Sequence, residues 1–355
     1  MNFTLGPRTI GDGNPCFIVY EAGPTHNGLE SAKDLVRMAA DAGADAVKFQ
    51  IFDPDRLVAD RKQLFSYEVL IDRASGRTET VSEPLYDILC RRSMPRANWE
   101  ALKNYSDSLG LAFFSTAGFE DDVDFLARIG CHSVKIASAD INHFPLMTYA
   151  AKTGMSVQID TGNATLGEVE SAVDAIRATG NDQIVIHHCP SGYPARLDSI
   201  HLRIIPTLKM MFPVPVAFSD HTPGWDMDVA AIALGANMVE KTITHDRTTR
   251  SVEHQFSLEP ADMHGFVKAV RELETALGKS RKEMTREEMT SRMKVRRSAH
   301  LKRAVKAGET LSLELIDFRR PGHGIGPHEY EPYLGMRFAK DLPAHSLITV
   351  SDLAR

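Results

Sequence analysis

Residues 131–162 read CHSVKIASADINHFPLMTYAAKTGMSVQIDTG. Ser133 to Ala137 is a short β-rich run that ends in Lys135-Ile136-Ala137-Ser138-Ala139-Asp140. Pro145 to Thr153 has helical character. A second apolar run, Met155 to Ile159, then ends in Asp160-Thr161-Gly162. The stretch is therefore one strand–helix–strand unit. It carries a lysine, a serine and an aspartate at the end of its first strand and another aspartate at the end of its second. In parallel α/β folds, active sites form from polar groups at the C-terminal ends of strands. Taken alone, Lys135 reads as an exposed strand-end lysine.

The same alternation runs outward in both directions. Upstream are apolar runs at Cys16–Tyr20, Ala46–Phe49 and Leu111–Ser115, which end at Glu21, Gln50 and Thr116. Downstream, Ile184–His188 leads to Cys189-Pro190-Ser191-Gly192-Tyr193-Pro194, and Val214–Phe218 leads to Ser219-Asp220-His221-Thr222. Met238–Ile243 contains Glu240, Lys241 and Thr242. Helical segments separate these runs. The closing helix shows Met263, Phe266, Val267, Val270, Leu273 and Leu277 at helical spacing. Eight strand–helix units predict an α/β fold, a (β/α)8 TIM barrel, over residues 1–280. A doubly wound open sheet is the alternative, because counting strands does not prove closure.

Three segments fall outside the repeat. Residues 1–15 predict a polar hairpin. Residues 51–95 form a long charged excursion after the second strand, the place for a lid or specificity loop. Its Arg73 and Arg77 would either close over an anion or stay in plain solvent. Residues 281–294 predict a charged linker, and residues 295–355 a separate, mostly β module.

Bulk composition narrows the class of protein. The chain has 355 residues, 43% hydrophobic and 25% charged, with a formal net charge of −6. That is ordinary for a globular protein and argues against a broad nucleic-acid surface. The four cysteines form no C-x-x-C pair, so no zinc cluster or disulfide framework is expected. Neither a signal peptide nor a membrane span is expected, so the cytoplasm is the default location. Met210 and Met211 are expected in the core. One of His187 and His188 should face the helices as a hydrogen-bonded histidine, and Cys189 should be buried and inert.

The strand ends gather Glu21, Lys48, Gln50, Thr116, Lys135, Ser138, Asp140, Asp160, Ser191, Tyr193, Ser219, His221 and Glu240. Two lysines with hydroxyls from several strands make a cradle for phosphate or carboxylate. The carboxylates and His221 suit a divalent metal or general acid–base work. No dinucleotide or P-loop motif is present. A Schiff-base aldolase or lyase acting on pyruvate through Lys135 or Lys48 is equally open on residue types alone.

Several short motifs, in this order, resemble the N-acetylneuraminate (sialic acid) synthases. They are Glu21-Ala22-Gly23-Pro24-Thr25-His26-Asn27-Gly28, Val47-Lys48-Phe49-Gln50, Phe114-Ser115-Thr116 and Val134-Lys135-Ile136-Ala137-Ser138-Ala139-Asp140. Asp160-Thr161-Gly162, the His188 to Pro194 run and Phe218-Ser219-Asp220-His221-Thr222 follow. Arg296-Arg297-Ser298 and Phe318-Arg319-Arg320-Pro321-Gly322 resemble the C-terminal antifreeze-like (SAF) domain of that family.

The resemblance implies condensation of phosphoenolpyruvate with an open-chain amino-hexose aldehyde to give a nonulosonic acid and phosphate. It also implies a homodimer with swapped SAF domains. Lys48, Thr116, Lys135, Ser138, Ser191 and Ser219 would hold phosphoenolpyruvate. Glu21 and Asp140, with the two lysines, would carry the chemistry. Gln50, Tyr193, Glu253 and the partner's Arg320 would meet the sugar. His221 would bind a divalent metal, manganese or magnesium.

Three positions depart from that pattern. Asp160 stands where a phosphate-contacting serine is usual, Ser191 where an asparagine often sits, and Thr242 where a second metal-binding histidine is usual. His245, His26 and His254 are the available replacement ligands, with His245 favoured, and Asp160 itself is the other. A non-catalytic sugar-binding protein is the third reading that these departures leave open.

Overall fold

The computed structural model describes residues 1–354 and divides into two compact units, 1–278 and 279–355. In the first unit eight parallel strands close into a barrel: β1 (Phe17–Glu21), β2 (Ala46–Gln50), β3 (Ala112–Thr116) and β4 (Ser133–Ile136), then β5 (Ser156–Asp160), β6 (Ile184–His188), β7 (Val216–Asp220) and β8 (Met238–Thr242). Neighbours in the barrel follow chain order. Closure comes from β8 pairing with β1, with Glu240 opposite Val19 and Thr242 opposite Glu21. That pairing decides between the barrel and the open sheet.

Side chains alternate across each strand. The outward set, including Ile18, Val47, Phe113, Val134, Val157, Ile186, Phe218 and Val239, packs in one core with the surrounding helices. The inward set is layered. Phe17, Val19, Ala46, Ala112, Phe114, Val185, Ala217 and Met238 fill the lower barrel, and Leu5 and Ile10 pack with them. Those last two belong to the N-terminal hairpin, Phe3–Leu5 with Arg8–Ile10, which floors the barrel. Above this apolar layer the inward positions become polar toward the C-terminal mouth.

The excursion between β2 and β3 is more regular than its composition suggests. It contains an antiparallel hairpin, Leu64–Asp72 with Arg77–Pro84, flanked by short helices at Pro54–Leu57 and Leu85–Cys90. Tyr67 and Val69 of the hairpin pack with Ile88 and with Val252 from the loop after β8. Arg73 is not free: it reaches Glu259 and Asp246, each at 2.6 Å.

The second unit also corrects an expectation. Residues 281–294 are not a plain linker, because Arg286–Val295 is a helix. Its N-terminus is a capping box: the Thr285 hydroxyl accepts from the Glu288 backbone N–H, and the Glu288 carboxylate accepts from that of Thr285. Beyond it, Ser298–Leu301 pairs with Ile316–Arg319 and Arg337–Phe338 with Leu353–Ala354, around a small core that includes Leu301, Ile316, Phe338 and Ile348.

Met210 and Met211 are a further correction: both are exposed, at 81% and 41%. They lie on the outer side of the short helix Ile204–Met211, whose buried positions are Ile205 and Leu208. No helix among the described residues is long and apolar enough to cross a membrane.

Candidate active site

The C-terminal mouth of the barrel opens into a cavity of about 340 Å3. Its floor is a ladder of alternating charge made by inward positions of five strands. Lys135 lies 2.7 Å from Glu240 and 3.0 Å from Asp160. Lys48 is paired with Glu21 and lies 3.7 Å from Glu240. The exposed-lysine reading of Lys135 therefore fails, since the side chain is fully buried. A lysine in such a place needs partners, because an unpaired buried charge costs several kcal/mol.

The ladder sets the protonation of its members. Desolvation alone would lower the lysine pKa values, but Glu21 and Glu240 raise that of Lys48, and Asp160 and Glu240 raise that of Lys135. Both lysines therefore stay charged. Desolvation would raise Glu240, but Lys135 and Lys48 hold it well below the ordinary range. Burial raises Glu21 and Asp160, against the pull of the lysine beside each. A lysine held this firmly protonated is a poor nucleophile for Schiff-base formation.

Hydroxyls surround the ladder. Ser219 donates to Glu240 at 3.1 Å, and Ser138 accepts from the Gly162 backbone N–H at 3.1 Å. A Cβ at position 162 would come within 2.6 Å of the Ser138 oxygen, so glycine is required for this approach. Gly23 has the same role beside Glu21. Its N–H donates to the Glu21 carboxylate at 2.6 Å, and a Cβ there would collide with that oxygen.

The cavity brings together Glu21, Lys48, Gln50, Thr116, Ser138, Asp140, Asp160, Tyr193, Ser219, His221, Glu240 and Glu253. Lys135 forms the floor below them. Ser191 lines a neighbouring cavity with His188 and Leu166. Arg320 is exposed in the second unit. His245 lies away from the mouth, exposed, in a cavity with Arg91, Arg92 and Arg250.

His221 has a buried Nδ1 with no hydrogen-bond partner among the described residues, and burial lowers its pKa to about 4. Its ring meets Tyr193 edge-on at 5.0 Å and Phe256 at 5.8 Å. His188 is the hydrogen-bonded histidine on the helix side, with its Nε2 against the Ile200 carbonyl. His187 points inward, with its Nε2 2.8 Å from Gln158. Cys189 is buried, and desolvation pushes its thiol up to about 12, so it is inert.

The donor set does not make a divalent-metal site. His221 offers one free nitrogen. Asp160 lies 3.0 Å from the Lys135 ammonium, and Thr242 has no imidazole. Among the described residues, no group of three or more His, Cys, Asp or Glu side chains is placed to hold an ion.

Two features were not recognised from sequence. One is the central position of Glu240, which shares both lysines; a carboxylate on the inward phase of the last strand was its signal. The other is the apolar wall of Phe52, Leu57 and Leu89, supplied by the excursion and marked by no motif.

Comparison with known proteins places this site in a family. The chain is 35% identical to the N,N'-diacetyllegionaminic acid synthase of Legionella pneumophila, over 96% of this chain and 95% of that one. It is 30% identical to the human N-acetylneuraminate-9-phosphate synthase, over 87% and 84%. The crystal structure of the N-acetylneuraminic acid synthetase of Leptospira borgpetersenii, in complex with citrate, superposes with a TM-score of 0.71 at 29% identity, covering 82% of this chain and 95% of that one. Residues 296–354 match the SAF domain. Residues 35–282 match the NeuB family, and the chain belongs to it.

Proposed function

We propose that this chain condenses phosphoenolpyruvate with an N-acylated amino-hexose aldehyde, forming a sialic-acid-like nonulosonic acid and phosphate for glycan synthesis. The observation that carries the reading is the pair of buried, charged lysines, Lys48 and Lys135, at the mouth of the barrel, ringed by Thr116, Ser138 and Ser219. Two buried lysines with hydroxyl donors around them suit a small, multiply charged anion. Family relatives carry the corresponding synthase names.

In this reading the lysines and hydroxyls bind the phosphate and carboxylate of phosphoenolpyruvate. Carbon 3 of the enol phosphate attacks the aldehyde carbon. Positive charge develops at carbon 2, where Glu21 and Glu240 stabilise it. Water adds there, Glu21 takes its proton, and phosphate leaves. Gln50, Asp140 and Tyr193 line the sugar end of the cavity. The reading extends to a homodimer in the cytoplasm, in which the partner supplies its SAF domain over the barrel mouth. Arg320 of that domain would meet the N-acyl group.

The test is phosphate release from phosphoenolpyruvate with a panel of N-acylated amino-hexoses. Release that depends on one sugar supports the reading and identifies the substrate. A Schiff base trapped by borohydride, with pyruvate as substrate and no release, would overturn it.

A further inference from the structure

A buried carboxyl stands beside Thr242, the residue that replaces the second metal-binding histidine the resemblance expects. Thr242 ends β8 beside Glu21 of β1 and donates to the Glu253 carboxylate at 3.2 Å. The other Glu253 oxygen has no protein partner among the described residues, and the side chain lines the mouth cavity with His221, Tyr193 and Gln50. Glu253 is 9% exposed and sits in the left-handed backbone region, with φ 70°. That conformation is costly for a glutamate, on the order of 1–3 kcal/mol, and persists only where the surroundings impose it.

The surroundings do impose it. Arg92 donates to the Ser251 hydroxyl at 2.7 Å, Ser257 donates to the Glu253 carbonyl at 2.6 Å, and Val252 packs under the hairpin. Burial, with Glu21 of β1 and Glu240 of β8 nearby, outweighs the pull of Lys48 of β2 and pushes the Glu253 carboxyl up to about 8. Arg92 and Tyr193 also face it. At neutral pH it keeps its proton.

We infer that Glu253 is the general acid of the condensation, protonating the sugar aldehyde oxygen in place of a Lewis-acid metal. This rests on the condensation reading above and adds to it how the aldehyde is activated. The enol π pair of phosphoenolpyruvate forms the new bond from its carbon 3 to the aldehyde carbon. The carbonyl π pair moves to the aldehyde oxygen, which takes the Glu253 proton and becomes a hydroxyl. Water then adds to carbon 2 and gives its proton to Glu21. The resulting hydroxyl passes its proton to the departing phosphate as the carbon–phosphate-oxygen bond breaks and the bonding pair leaves with that oxygen. Glu21 returns its proton to solvent and Glu253 takes one back.

The experiment uses the full-length protein stripped with chelator. Phosphate release is measured with the sugar panel, in excess chelator and after manganese is added back. The expected result is release in chelator that manganese does not raise. Glu253→Gln should lower kcat on the order of 100-fold or more, while phosphoenolpyruvate binding, followed by calorimetry, is retained. Glu253→Asp, which keeps a carboxyl, should recover part of the rate.

Release that needs manganese overturns the inference and leaves the condensation standing. Release in chelator that Glu253→Gln retains also overturns it. Loss of phosphoenolpyruvate binding in both variants marks a structural role and overturns it. No release with any sugar in either condition overturns the inference and the condensation together.

Discussion

Asp160 is a carboxylate on the floor of the mouth cavity, 3.0 Å from Lys135. It offsets part of the Lys135 charge and, in the proposed condensation, would present a like charge to phosphoenolpyruvate. Asp160→Ser should free Lys135 and lower the KM for phosphoenolpyruvate by about tenfold, read in the phosphate-release assay. Lys135→Met should do the reverse and more. It leaves Glu240 and Asp160 without their shared cation, so binding should vanish and stability fall by roughly 3–5 kcal/mol, measured by denaturant unfolding. Glu253 gives a pH signature. Its carboxyl moves from an ordinary 4.5 up to about 8 on folding, so the folded state binds the proton more tightly than the unfolded state. Its contribution to stability is complete below the lower value and is lost as pH rises through that window. Melting temperatures taken below and above the window should therefore fall more in the native protein than in Glu253→Gln. That Lys48, Glu21 and His221 face one cavity was legible because motif and strand phase agreed. The partners of Lys135 were not, since Glu240 lies far away in sequence and meets it only when the barrel closes.

Among the elements, the eight strands were readable from apolar runs that end in polar residues, and their outward faces follow that pattern. The hairpin at 64–84 was not. Its strands are mostly exposed and charged, so the composition resembles a loop, and what orders it is pairing and contact with the segment after β8. Arg73 joins the two through Asp246 and Glu259, and Phe65 rests against Tyr193 in the cavity wall, centroids 6.2 Å apart. Arg73→Ala should leave the melting temperature nearly unchanged, because the arginine is half exposed and its ion pairs are screened by solvent. Its effect should be on turnover, with kcat down by roughly threefold to tenfold as the wall loosens. Equal losses in melting temperature and rate would contradict that separation. The helix at 286–295 was hidden by a charged, apolar-poor composition, although Thr285 and Glu288 already spelled its capping box.

For the whole molecule, two compact units were legible from the change in pattern after the closing helix, and closure of the barrel was legible only as a count of strands. Arg320 tests how the units cooperate. If the partner's SAF domain reaches the sugar, Arg320→Ala should raise the KM for the amino-hexose and leave that for phosphoenolpyruvate unchanged. The barrel floor has a different consequence. The hairpin bearing Leu5 and Ile10 leaves the ribosome long before Val185, Ala217 and Met238, the residues it must rest on. A lone two-stranded hairpin is marginal in water, so during synthesis this segment can complete its packing only when the late strands are made. It is translated ahead of the barrel, yet the layer it packs with is whole only after the last strand is made.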